Sequence, residues 1–385
     1  MQETSVTKAI LGIGVIGAGY ISEVHLRQIL RLYPQAKLIA LCDTDSLRAK
    51  ELGHAFGIEQ VTDSYREVIE NPNVDVIHNC TPNHLHYSIN KEALQAGKHL
   101  LSEKPLATTW EEASELTALA KELGLEAGVN FCYRYYPVVQ EAAAKSRRGD
   151  LGEVRMLTGS YFQDHLSRED DYNWRLNPDL SGPSAMMADL GSHWLDLVEF
   201  VGNHRIVEVF ADFHTAFPVR KQGTQSVSCP LEDIATLLLR LDNGARGSFI
   251  TSQMAVGKRC TIDLQIYGSE QSIAWNHERS AELWIGHRDQ ANQTLIESPL
   301  LQSEESRRYA VLPSGHVMGY HDAMFNLFQD FYHAVQRNRD VAYVGEGYPT
   351  FNDATKQLSI LESIIRSAQT GHWITVNQQL AAVAH

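Results

Sequence analysis

Residues Ile13-Gly14-Val15-Ile16-Gly17-Ala18-Gly19-Tyr20-Ile21-Ser22 run from an apolar strand into a glycine turn. A helical pattern follows, with apolar residues at Ile21, Val24, Ile29 and Leu30 recurring at three- and four-residue spacing. A glycine pair at this point suits a tight turn whose backbone N–H groups face a pyrophosphate at a helix amino end. Gly17, Gly19, Tyr20 and Ile21 are therefore candidate cofactor contacts. Ser22 holds the third position of the fingerprint, where a small residue keeps helix and sheet close. A plain glycine turn would read the same way in isolation.

The surroundings strengthen the dinucleotide reading. A second strand, Leu38-Ile39-Ala40-Leu41-Cys42, ends at Asp43, about where a ribose-binding carboxylate is expected. Such a carboxylate accepts both ribose hydroxyls and repels a 2′-phosphate, which selects NAD over NADP. Asp43 could instead cap the helix that begins near Asp45-Ser46. Val74 to Cys80 reads as a buried strand turned by Thr81-Pro82-Asn83, which is either a plain turn or a set of nicotinamide neighbours. The next helix closes near Ala96-Gly97. A short strand, His99 to Ser102, then delivers Glu103-Lys104-Pro105. Proline cannot extend a sheet ladder, so Lys104 is left at a strand's carboxyl end, where open α/β sheets hold ligands. A helix from Trp110 to Leu123 and a strand from Leu125 to Asn130 complete a doubly wound parallel sheet over residues 1–130.

After Tyr133-Arg134-Tyr135-Tyr136-Pro137 the pattern changes. A helix from Val138 to Arg147 leads into strands at Val154–Phe162, Ile206–Phe213, Glu232–Leu241, Ala245–Gln253 and Thr261–Tyr267. Leu241-Asp242-Asn243-Gly244-Ala245 carries a hairpin signal. Residues 131–385 are expected to form an α+β substrate-binding and oligomerisation domain with a large, mostly antiparallel open sheet, whose C-terminal helix can pack back near the first domain. One face is covered by a helix from Asp189 to Val201, and the other is open to a partner subunit. His277 to Arg308 reads as a polar surface excursion, and Gly319–Val335 and Asn352–Ala368 as helices. Within this half, Asp189 and His193 are four apart and would share a helix face. A structural contact, half of a metal site and an acid/base pair near neutral pH all remain open. His84 and His86 complete no metal-ligand spacing, so no metal is expected.

The 385 residues carry a net charge of −14, with 43% apolar and 21% charged side chains. That charge opposes nucleic-acid binding. No run approaches the ~20 apolar residues of a membrane helix. Met1 to Ser5 has no basic region ahead of an apolar core, and the five cysteines have no CxxC spacing. The reading is a cytoplasmic protein acting on small molecules.

Together, Gly17-x-Gly19, Thr81-Pro82-Asn83, Glu103-Lys104-Pro105 and Asp189-x-x-x-His193 resemble the Gfo/Idh/MocA family (glucose-fructose oxidoreductase, inositol dehydrogenase and rhizopine catabolism) over nearly the whole chain. The resemblance implies an NAD-dependent dehydrogenase with a Rossmann domain and an oligomerising open sheet, forming homodimers or homotetramers. It implies that Lys104, Asp189 and His193 are catalytic. A secondary hydroxyl of a cyclic sugar, sugar derivative or polyol would pass hydride to nicotinamide C4 and its proton to His193, with Lys104 polarising the oxygen. His86, Glu103 and Lys104 join Gly17, Gly19, Tyr20, Ile21, Asp43, Thr81, Pro82 and Asn83 as cofactor neighbours. A cis Lys104–Pro105 bond is also implied.

Aromatic and hydrogen-bonding groups suited to a sugar nominate Tyr133, Arg134, Gln163, Trp174, Arg175 and Tyr320 beside Lys104, Asp189 and His193 for the substrate. The family's glycine run before the Asp–His helix is replaced here by Ser181-Gly182-Pro183-Ser184-Ala185-Met186-Met187, which sets this chain's substrate loop apart. Two other functions fit the fold: an NAD-dependent glycosidase working by transient oxidation and elimination, and a non-catalytic dinucleotide-binding regulator. The presence of Lys104, Asp189 and His193 together speaks against the regulator.

Overall fold

The structure is a computed structural model that describes residues 10–300, 303–336 and 347–377. The Met1–Ser5 stretch, with its lack of a basic region ahead of an apolar core, lies outside them. The chain divides into two units. Unit 1 takes in the described residues of Met1–Ala107, Glu111–Asn130 and His321–Ala354, and unit 2 those of Thr108–Trp110, Phe131–Tyr320 and Thr355–His385.

In unit 1 the chain runs β1 (Leu11–Ile16), α1 (Tyr20–Arg31), β2 (Ala36–Cys42), α2 (Ser46–Phe56), β3 (Gln60–Thr62), α3 (Tyr65–Glu70), β4 (Val76–Asn79), α4 (Asn83–Gln95), β5 (His99–Ser102), α5 (Trp110–Leu123) and β6 (Ala127–Val129). The strands pair in parallel in the order β3-β2-β1-β4-β5-β6. This is the doubly wound Rossmann sheet. Its strand order reverses between β1 and β4, the crevice where such sheets bind ligands. β1 is buried throughout, as a strand covered on both faces must be.

Unit 2 begins with α6 (Pro137–Arg148) and β7 (Val154–Phe162), followed by α7 (Pro178–Ser181), a π-helical turn at Met187–Gly191 and α8 (Ser192–Gly202). Then come β8 (Ile206–His214), β9 (Val219–Gln222), β10 (Gln225–Ser228), β11 (Ile234–Leu241), β12 (Arg246–Ser252), β13 (Thr261–Gly268), β14 (Ser272–Asn276), β15 (Glu282–Gly286), β16 (Gln293–Ile296) and α9 (Glu304–Arg307). α10 (Tyr320–Gln336), α11 (Phe351–Thr370) and β17 (Ile374–Thr375) close the described chain. Nine strands form one sheet, ordered β16-β15-β14-β13-β7-β12-β11-β8-β17. Only the β7–β12 pair is parallel, so the sheet is mostly antiparallel.

The covered face of this sheet is built on Trp194 of α8. Its ring stacks on Phe249 at 4.2 Å, and its Nε1–H donates to the Asp263 carbonyl at 2.8 Å. Gly159 makes the approach possible, because a Cβ there would sit 2.2 Å from the Trp194 Nε1. On the opposite face Met156, Leu238 and Ile250 remain exposed; the β7–β12–β11 register sets Leu238 diagonally beside Ile250 and places Met156 further along the same face, opposite Arg246.

Three expectations change. The polar stretch from His277 to Arg308 is not an excursion: it adds β15 and β16 to the sheet and buries Leu283 and Ile285. The helix expected from Asp189 opens as a π turn, so its first residues do not follow α-helical spacing. Residues 131–385 do not all belong to the second unit. The described part of His321–Ala354 returns to the first, where Phe328 packs against His25 at 4.8 Å and His78 at 4.9 Å.

Glu199 of α8 gives a stability prediction. Burial pushes its carboxyl up to about 7, against the Ile206 N–H that it accepts. A carboxyl raised in the fold contributes stability while protonated and loses it as pH rises towards 7. Gln357 donates to Glu199 at 3.3 Å, and its own Oε1 has no hydrogen-bond partner among the described residues; a flipped Gln357 amide could pair with an amide at 199. Glu199→Gln should therefore raise the melting temperature at pH 8 by a few degrees and leave it nearly unchanged at pH 5, as thermal unfolding at the two pH values would show.

Candidate active site

In unit 1 the predicted cofactor residues gather at the carboxyl ends of β1, β2, β4 and β5. Gly17 has φ of 100°, and a Cβ there would lie 2.7 Å from the Cys80 carbonyl oxygen. Only glycine allows β1 and β4 to come this close at the switch point. Gly19 begins α1 with no side-chain cap, and open space lies where its Cβ would stand. Asp43 is not the cap of α2. Asp45 caps it, accepting from Leu47 and Arg48 N–H groups. The Asp43 carboxylate instead accepts the Ala18 N–H at 2.6 Å and the Asp45 N–H at 2.8 Å, which ties the end of β2 to the glycine turn. The open space at Gly19, the uncapped amino end of α1 and the anchored Asp43 fit a dinucleotide's pyrophosphate and ribose. Tyr20, 78% exposed, and Ile21 open α1 at this point.

Asn79 at the end of β4 accepts from the Thr81 N–H and hydroxyl, and donates to Asn90 at 2.7 Å. That shapes the Thr81-Pro82-Asn83 turn. His86 ties this turn to the next loop: its ring nitrogens lie 2.6 Å from the Pro105 carbonyl and 2.8 Å from the Thr81 carbonyl. Burial pushes its pKa down, and the two carbonyls pull it back. The Lys104–Pro105 bond is cis. Glu103, 7% exposed, accepts from His25 Nε2 at 2.9 Å and Asn130 Nδ2 at 2.6 Å. Burial would raise its carboxyl; the hydrogen bonds from His25 and Asn130 and the Lys104 charge act against that and lower it.

In unit 2 the predicted substrate residues gather around the π turn. Arg175 Nε lies 3.2 Å from Asp189 Oδ1. Gln253 Nε2 donates to Asp189 Oδ2 at 2.9 Å and to Gln163 Oε1 at 3.0 Å. Arg175 also lies 4.7 Å above the Trp174 ring. His193, nearly buried, meets the Tyr133 ring edge-on at 4.8 Å, and Tyr133 in turn faces Tyr320 at 5.9 Å. Arg134 points elsewhere: its guanidinium grips Asp196 with two hydrogen bonds and lies over Phe200, which suits a structural role.

Sequence reasoning missed Gln253, Glu232 and Arg220. Gln253 ends an expected strand, and period-two alternation would have turned it inward. Glu232 accepts from Ser184 Oγ and from the Met187 N–H that opens the π turn. Fully buried Arg220 pairs with Asp233 at 2.5 Å and donates to the Leu166, Arg168 and Asp171 carbonyls, fixing the loop ahead of Trp174. Neither shows a local signal. Among the described residues no group of three His, Cys, Asp or Glu side chains could hold a metal ion, and no helix is long and apolar enough to cross a membrane.

Residues 11–131 match the sequence model of an oxidoreductase family with an NAD-binding Rossmann fold, and residues 139–274 match the Gfo/Idh/MocA C-terminal domain. The chain belongs to the Gfo/Idh/MocA oxidoreductases. One relative is a levoglucosan dehydrogenase of Pseudarthrobacter phenanthrenivorans, 28% identical over 96% of this chain and 98% of its own. A D-glucoside 3-dehydrogenase of Escherichia coli is 29% identical over 59% of this chain and 63% of its own. Among solved structures, a levoglucosan dehydrogenase complexed with NADH and levoglucosan superposes with a TM-score of 0.88 at 28% identity, covering 96% of this chain and all of the other. An inositol dehydrogenase homologue from Azotobacter vinelandii complexed with NAD+ does so at 0.87 and 26% identity, covering 97% of this chain and all of the other. The Gfo/Idh/MocA chain described here is accordingly an NAD(P)-dependent oxidoreductase.

Gly17→Ala tests the turn. The methyl group cannot fit against Cys80 at positive φ, so the variant should lose dinucleotide binding by at least ~10-fold in a fluorescence titration. Gly57→Ala, also at positive φ (65°) but with open space around its Cβ, should bind normally.

Proposed function

We propose that this chain is an NAD-dependent dehydrogenase that oxidises a secondary hydroxyl of a cyclic sugar, sugar derivative or polyol. The observation that carries the reading is Asp43 bound to the Ala18 N–H of the glycine turn, in the same sheet that presents Lys104 at the end of β5. A carboxylate anchored at that point is positioned for two ribose hydroxyls and disfavours a 2′-phosphate, which supports NAD over NADP. When bound, NAD supplies the hydride acceptor. The relatives named for levoglucosan and D-glucosides support a sugar as substrate.

In this reading Tyr133, Gln163, Trp174, Arg175 and Tyr320 orient the sugar, with aromatic edges for its ring and polar groups for its hydroxyls. His193 takes the hydroxyl proton on its imidazole. Asp189, kept in place by Arg175 and Gln253, favours the imidazolium that results. The Lys104 ammonium stabilises charge growing on the substrate oxygen. Ketone reduction uses the same groups in reverse. A second copy of the chain on the open sheet face, over Met156, Leu238 and Ile250, is the proposed assembly, as a homodimer or homotetramer in the cytoplasm.

A panel of pyranoses, anhydrosugars, glycosides and inositols with NAD and NADP, followed at the NADH absorbance and by product analysis, tests the reading. At least one sugar should be oxidised with NADH formed in step. Glycoside cleavage without NADH would point to transient oxidation and elimination instead. With a competent substrate, Lys104→Ala should lower kcat by roughly 1,000-fold with little change in NAD affinity. Asp43→Ser should weaken NAD by about 10- to 100-fold and NADP far less; equal losses would take Asp43 off the ribose.

A further inference from the structure

Unit 1 contains a buried polar chain that none of the steps above uses. His78 interrupts the apolar strand β4 and His25 lies on α1; both are fully buried. Their Nδ1 atoms are 2.8 Å apart. His78 Nε2 lies 2.8 Å from the hydroxyl of Tyr332, also fully buried, on α10. His25 Nε2 lies 2.9 Å from Glu103 Oε1. The Phe328 ring packs over both imidazoles. Four polar side chains from α1, β4, α10 and the end of β5 thus form a single line that ends beside Lys104.

The hydrogen bonds constrain where the protons lie. Glu103 is an anion and only accepts, so His25 Nε2 carries a hydrogen. If His25 is neutral, its Nδ1 accepts, and His78 Nδ1 must donate to it. Neutral His78 then accepts at Nε2 from the Tyr332 O–H. Every proton points toward Glu103, and each bond polarises the next. The competing arrangement has one more proton, on His25, and runs the other way from His25 through His78 to Tyr332. It places an imidazolium in a fully buried position and turns the Tyr332 hydroxyl from donor to acceptor, away from its only partner among the described residues.

We propose that Tyr332, His78 and His25 form a one-way donor chain that holds Glu103 as a fixed anion and, through it, positions Lys104. The positioning role rests on the dehydrogenase reading; the proton arrangement does not. Glu103 fixes its neighbour in two ways: it accepts the Lys104 N–H at 3.3 Å, and its own N–H donates to the Asn79 carbonyl at 2.9 Å. The chain is not a route for the catalytic proton. Passing a proton along it would leave a phenolate at the fully buried Tyr332, where burial pushes the phenol well up. His25 and His78 are positioning residues rather than catalytic ones.

The test is long-range proton–nitrogen NMR on full-length protein carrying 15N-labelled histidine, with signals assigned through His25→Gln and His78→Gln. At pH 7 the expected result is two neutral rings of opposite tautomer: Nε2–H for His25 and Nδ1–H for His78. An imidazolium at His25 with Nε2–H at His78 would overturn the arrangement. Tyr332→Phe keeps the shape and removes the first donor, so it should shift the His78 nitrogen signals. With a competent sugar, His25→Ala should lower kcat by roughly 100-fold, with KM and NAD affinity changing little and His25→Gln recovering part of the loss. Unchanged kcat in a folded His25→Ala protein would overturn the positioning role. If the wild-type protein oxidises no sugar, the dehydrogenase reading fails, and the nitrogen spectra alone still decide the chain.

Discussion

A carboxylate removed from water needs donors aimed at it, and Glu103 has them on every side. His25, Asn130 and the Lys104 backbone N–H converge on a group that is 7% exposed. An unpaired buried anion would cost several kcal/mol, so α1, β5 and the residue after β6 must keep their relative places. The line of side chains behind His25 extends that demand to β4 and α10. The end of β5 is thereby tied to its neighbours, which is what the role proposed for Lys104 at a reacting oxygen needs. Lys104 inherits its position from an anion that the sheet cannot release cheaply.

The same logic operates at the other end of the crevice. Asp43 spends two acceptor sites on backbone N–H groups, Ala18 and Asp45, and a carboxylate has further lone pairs to offer. Its charge is fixed where β2 meets the glycine turn. In unit 2 the π turn at Met187–Gly191 carries Asp189 on a backbone geometry that α-helical spacing does not produce. Buried Glu232 takes up its opening N–H. Lys104 and Asp189, both proposed for chemistry, are each held by a side chain that touches no substrate in the proposed mechanism, Glu103 in one case and Gln253 in the other.

The parts readable from sequence are those set by local pattern. The β1 turn, the helix from Trp110 to Leu123 and β7 from Val154 to Phe162 coincide with their expected bounds, because apolar period and turn chemistry act over a few residues. β15 and β16 were hidden. Leu283 and Ile285 alternate correctly, but the flanking Arg288, Asp289, Gln290 and Asn292 make the stretch read as loop. The return of α10 to the first unit rests on contacts distant in sequence, since Tyr332 meets His78 across 254 positions; a helix packing back was expected, but not which one or onto what. His78 itself looks like a polar fault in an apolar strand until its partners are known. The site shows the same division: Gly17, Asp43 and the Glu103-Lys104-Pro105 run announce themselves, whereas Gln253, Arg220 and Glu232 gain meaning only from distant neighbours.

The central claim is net transfer of hydride from a sugar carbon to NAD, held at the Gly17 turn. Incubating the protein with NAD and a competent sugar deuterated at the reacting carbon tests it most directly. The account predicts NADH carrying one deuterium and an equal amount of keto sugar. Sugar consumed with NAD left oxidised, and with the deuterium exchanged into solvent or retained in a cleaved product, would contradict it.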